Sequence, residues 1–163
     1  MFAPRYSDIA SFMRAPMAEH LEDVDIAMAG VPYDGALTNR AGARHGPREV
    51  RNQSTLMRAI NHVTRINPYE LARVADVGDV AFSSVFDIEE THREITAFFE
   101  MLVGADILPL ACGGDHSVSL PILRAVAREP VALLHIDAHT DTWDSFQGSK
   151  FNYPQSGLFS GRP

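Results

Sequence analysis

Four residues of this chain have types and spacing suited to chemistry: His116, Asp137, His139 and Asp141. They lie in two short runs, Gly113-Gly114-Asp115-His116-Ser117 and Asp137-Ala138-His139-Thr140-Asp141. Imidazole and carboxylate together make a mixed nitrogen and oxygen donor set. Such a set suits Mn²⁺, Zn²⁺ or Fe²⁺, and its carboxylate share tilts the choice toward Mn²⁺. If the chain is extended through His139, residues 137 and 139 point the same way, because side chains alternate along a strand. A turn just beyond then brings Asp141 back to the same place. The two glycines before His116 let the backbone turn tightly. Buried carboxylates without partners are destabilising, so this grouping argues for a site.

Other polar residues have plainer readings. His20, His45, His62 and His92 read as ordinary polar residues, with His92 on a helix surface. His135 lies inside a strand and faces the core or a hydrogen-bond partner. Asp115 accepts bonds from its own turn, or alternatively supports His116 from behind. Cys112 reads as a small buried residue, since no His or Lys pattern marks it as a nucleophile. Trp143 and Asp144 line a pocket mouth or simply pack. Gly113–Ser117 is no phosphate loop, because it lacks the Lys of one motif and the third Gly of the other.

The elements that must position these residues alternate between strand and helix. Apolar runs predict strands over 26–31, 73–78, 107–111 and 131–136. Helices are predicted over 47–60, with Pro47 as a first helical residue, over 87–104 and over 117–128. Asp87 is a candidate N-cap with Glu90 completing a capping box, and Gly104 is a candidate C-cap. Ile88, Ile95, Phe98, Phe99, Leu102 and Val103 share one helical face. This order implies an α/β fold with a parallel sheet covered by helices. Ligands gather at the carboxyl ends of such strands, where both runs sit.

The chain has 163 residues, 45% of them hydrophobic, enough for one domain with a core. A net charge of −7 argues against a nucleic-acid partner, which needs clustered Lys and Arg. The single cysteine excludes an internal disulfide and a paired-cysteine zinc site, and fits a reducing cytoplasm. No apolar run approaches the roughly 20 residues of a membrane span, and no signal peptide opens the chain.

The two runs together resemble those of the ureohydrolase family, the arginases and agmatinases. Gly30-Val31-Pro32-Tyr33-Asp34 and the stretch Arg40 to Arg51 are similar to the agmatinase branch. The likeness covers residues 20–152. It implies a three-layer α/β/α, arginase-like fold with a mainly parallel sheet and a binuclear Mn²⁺ centre. By that likeness His116 and Asp141 hold one ion, His139 the other, and Asp137 bridges both. The implied reaction hydrolyses a small cationic guanidino substrate to urea and an amine. Agmatine giving putrescine leads, as in polyamine metabolism, with guanidinobutyrate and guanidinopropionate as competitors. The resemblance also implies a homo-oligomeric full-length parent.

The sequence departs from the family in its later part. The SxDxDxxDP motif, which supplies two further aspartates in the family, does not occur. The usual proton-shuttle His position is replaced near Tyr153, so no catalytic residue is assigned. The chain therefore reads as a truncated domain: 1–152 as its N-terminal part and 153–163 as a divergent tail. Alone it is expected to be inactive. A different reading is a non-catalytic metal-binding half-domain or assembly module. A zinc amide deacetylase is disfavoured, because such enzymes carry adjacent histidines and none occur here.

Overall fold

β1 (Ile26–Val31) is covered on both sides, with five of its six residues buried. An unbroken apolar run behaves this way in parallel sheets, whose two faces are both packed. In the computed structural model, which describes residues 4–139 together with 141, 145 and 148, β1 is the central strand. β2 (Val74–Asp79) pairs with one edge of it and β3 (Leu108–Gly113) with the other, both parallel. Met28 is in register with Asp76 on one side and Leu110 on the other, so these three share a face.

Helices cover both faces. α3 (Ile88–Gly104) and α4 (Ser119–Val126) close one of them. There Ile95, Phe99, Leu102 and Ala125 form a core with Ala27, Ala29 and Val31 of β1. The other face carries α1 (Gly46–Ser54) and the N-terminal segment, where Phe12 and Ala15 pack on Met28 and Val74. Arg51 of α1 ties that layer down. Its guanidinium carbon lies 4.0 Å from the centre of the Phe12 ring and it donates to Asp76 and Asp79. Asp76 also accepts the Phe12 N–H at 2.9 Å. Burial alone would raise its pKa; Arg51 and the N–H groups of Phe12 and Gly78 outweigh that and hold it below the usual carboxylate range. The result is the expected three-layer α/β/α arrangement around a parallel sheet.

Local rules hold in α3 with two corrections. Asp87 caps it, accepting from the backbone of Glu89 and Glu90 at 3.1 and 3.0 Å. Glu90 does not complete a capping box; it pairs with Arg93 instead. At the other end Gly104 is still helical, and Asp106 takes the left-handed backbone at φ 61°. His92 is not on the surface but buried at 3% exposure. Its spacing from Ile88 and Ile95 matches the buried stripe, a signal present in the sequence.

α1 stops at Ser54, short of the predicted residue 60. Ser54 and Thr55 turn their hydroxyls back to the carbonyls of Arg51 and Asn52, the competition that makes these residues poor helix formers. A short α2 (Pro68–Leu71), capped by Asn67, was not foreseen.

The larger correction concerns residues 131–136. They form no strand, and Val131, Leu133, Leu134 and Ile136 are exposed. Leu108 and Leu110 of β3 are likewise 64% and 51% exposed. An apolar run becomes a buried strand only where a ladder partner and cover on both faces exist, and the described residues provide no such cover here. Thr140, Trp143, Asp144 and the segment 153–163 lie outside the described residues. Among the described residues no helix is long and apolar enough to cross a membrane.

Candidate metal centre

His116 stands on a tightly bonded turn at the carboxyl end of β3. The Gly114 N–H donates to Val31 O and the Asp115 N–H to Tyr33 O, at 3.0 and 2.8 Å. Asp115 then caps the 3-10 turn His116–Val118, accepting from the Ser117 N–H at 2.9 Å and from its hydroxyl. That turn runs directly into α4. The backbone that carries the imidazole is therefore held between the sheet and a helix start. Cys112, just before the turn, packs half-buried against the Met28 cluster; burial pushes its thiol pKa up, which suits the packing role.

Four side chains meet in front of this turn. His116, His135, Asp137 and Asp141 each present a ligand-type atom, all within 4.8 Å of one another. His116 Nδ1 lies 2.6 Å from Asp141 Oδ2 and 3.6 Å from Asp137 Oδ2, and His135 Nε2 lies 3.5 Å from the same Asp137 oxygen. The two imidazole rings are tilted, with centroids 5.4 Å apart. Three of the four predicted residues are thus brought together: His116, Asp137 and Asp141.

His139 is not brought into the group. Its side chain is 82% exposed and, among the described residues, pairs with Asp137 Oδ1 at 3.5 Å. The cause is local. Asp137 Oδ1 accepts the His139 backbone N–H at 2.9 Å, so the chain turns at 137–139 instead of staying extended. The alternation that would aim 137 and 139 alike is lost. This N–H bond, ahead of the nearby imidazoles, also lowers the pKa of Asp137.

His135 takes the fourth place. Its ring reaches Asp137 although 131–136 form no strand, so strand alternation is not what joins them.

The donor set fits a divalent cation on one observation beyond residue type. Asp141 Oδ2 is buried and has no hydrogen-bond partner among the described residues, although His116 Nδ1 stands 2.6 Å away. That contact is closed either by a proton on Nδ1 or by a cation held between the imidazole nitrogen and the carboxylate. Two nitrogens and two carboxylates are a donor set for a borderline or hard divalent ion.

Comparison with known proteins accords with this geometry. A family model described as the Arginase family matches residues 24–156. A guanidinopropionase from Pseudomonas aeruginosa is 49% identical over 146 residues, 89% of this chain and 46% of that protein. Among solved structures, the proclavaminate amidino hydrolase of Streptomyces clavuligerus superposes with a TM-score of 0.87 at 34% identity, covering 94% of this chain and 51% of that one. A Trypanosoma cruzi formiminoglutamase solved with Mn²⁺ superposes at a TM-score of 0.59 and 30% identity, covering 68% of this chain and 37% of the other. The chain spans about half the length of the relatives it matches. On the family match and the shared architecture, this chain belongs to the arginase family.

Proposed function

We propose that the chain is part of a Mn²⁺-dependent amidinohydrolase that converts a small guanidino compound to urea and an amine. The observation that carries this is the convergence of His116, Asp137 and Asp141, joined by His135, with ligand-type atoms all within 4.8 Å of one another. When bound, a divalent ion would lower the pKa of water and so make a hydroxide nucleophile available near neutral pH. The chain's own residues do the holding: His116 is fixed by its turn, and Asp137 and Asp141 supply the negative charge. His139 enters only through the family resemblance, as the candidate holder of a second ion.

Agmatine remains the leading substrate, and the relative named guanidinopropionase puts a guanidino acid beside it. The parent protein is proposed to be a cytoplasmic homo-oligomer. This stretch alone binds the ion but turns over little, because the aspartates of the SxDxDxxDP motif are not in it. A second reading, a metal-binding half-domain or assembly module without catalysis, is favoured by the exposure of Leu108, Leu110, Leu134 and Ile136.

Metal content after gel filtration from Mn²⁺-containing buffer tests the reading. The unmodified chain should retain Mn²⁺ and His116→Ala should not; equal retention by both would sink it. Urea release from agmatine and guanidinopropionate should be far below the turnover of about 10 per second typical of enzymes. Full turnover by this chain would overturn the view that its site is incomplete.

A further inference from the structure

The connection between β1 and α1, residues 32–45, is fastened at its start to the turn that carries His116 and passes close to that turn again at its end. At its start, Asp115 N–H donates to Tyr33 O at 2.8 Å, and the Ala36 N–H donates to Asp115 Oδ2 at 2.9 Å. The approach is so close that a Cβ on Gly114 would fall 1.8 Å from Tyr33 O, so only glycine fits. At its end, a Cβ on Gly46 would lie 3.0 Å from Gly113 O. Between these fixed points Leu37–Ala41 arch outward and are exposed.

The arch is also braced from inside. Asp34, whose side chain is fully buried, accepts from the Gly42 N–H at 2.7 Å and pairs with the Arg44 guanidinium. Burial alone would raise its pKa; the Gly42 N–H and Arg44 outweigh that and keep it ionised. Asp34 therefore braces the arch, while the Asp115 side chain bonds to both the arch and the turn. Its two oxygens divide the work: Oδ1 serves Ser117 in the His116 turn, and Oδ2 serves Ala36 in the arch.

We propose that Asp115 is a positioning residue that couples the ion site to this arch. Its carboxylate holds His116 in the orientation that binds the ion, and ion binding in turn orders residues 36–42. Coupling of this kind is reciprocal: whatever the arch contributes to ion affinity, the ion returns to the arch. A plain helix cap would need only the Oδ1 bonds. The inference rests on the metal reading given above.

Asp115→Asn tests it, because an amide has one acceptor oxygen and can serve Ser117 or Ala36, not both. Mn²⁺ affinity by electron paramagnetic resonance and amide exchange of residues 36–42 are measured on the 163-residue chain. In the unmodified chain Mn²⁺ should slow exchange at 36–42. In Asp115→Asn that protection should vanish and affinity should fall about tenfold, as for other residues that orient a ligand from behind. Ser117→Ala loosens the cap but leaves the Ala36 bond, so it should keep the protection; exchange at 27–31 of β1 reports that each variant folds. Mn²⁺ bound without protection at 36–42, or equal protection in Asp115→Asn, overturns the coupling and leaves the metal reading standing. Absence of Mn²⁺ binding by the unmodified chain overturns both.

Discussion

The turn at 113–118 and the segment 131–141 carry the same kind of signal, an apolar run followed by ligand-type residues, and they fold differently. In the first, Asp115 and Ser117 are buried at 5% and 1% exposure, and backbone bonds tie it to Val31 and Tyr33. In the second, every described residue from 131 to 139 is exposed, and only Asp141, at 8%, is buried, against His116. One half of the donor set is preorganised by the sheet; the other reaches it from a stretch with little packing of its own. Preorganisation therefore resides in the cover around a motif, which an identical pattern of residues does not supply.

This contrast can be broken most forcefully in the core. Phe99 is fully buried between α3 and the sheet, so Phe99→Ala should lose about 3–5 kcal/mol in urea unfolding. Ile136, 88% exposed, should lose no more than about 0.5 kcal/mol on the same change. Comparable losses would mean that residues 131–136 are packed after all.

A pH titration sharpens the same comparison from within α3. Burial, helped by the charge of Arg124, depresses the His92 pKa from 6.5 to about 4. A histidine with a lowered folded pKa is bound by more protons when unfolded, so its stabilising contribution is complete above pH 6.5 and is lost as pH falls toward 4. The thermal midpoint should drop across that window, and His92→Gln should flatten the drop. An unchanged profile would return His92 to the surface position read from sequence.

The smallest effect belongs to the cap. Asp87→Ala removes the acceptor for two N–H groups and should cost about 1 kcal/mol in the same unfolding assay. A loss below a few tenths would mean that α3 is held by its packing alone.

Much of the fold was legible because its signals are local. Asp87 as cap, the stripe through Ile95, Phe99 and Leu102, and the parallel strands all follow from spacing and end chemistry. His92 shares the buried stripe by its spacing from Ile88 and Ile95, and that position outweighs the polar character of the imidazole. Of the candidate site, His116, Asp137 and Asp141 were named from sequence. His135 was passed over and His139 stands apart, since one backbone bond to Asp137 redirects the chain.

By itself, then, the sequence determined the element order, the sheet's parallel sense and the donor types, because periodicity and residue chemistry are properties of short stretches. Tertiary structure alone decided which donors meet, that Asp115 reaches Ala36 across 79 positions of chain, and that 131–136 stays unpaired. Those outcomes depend on what lies opposite in space, and no local pattern encodes that.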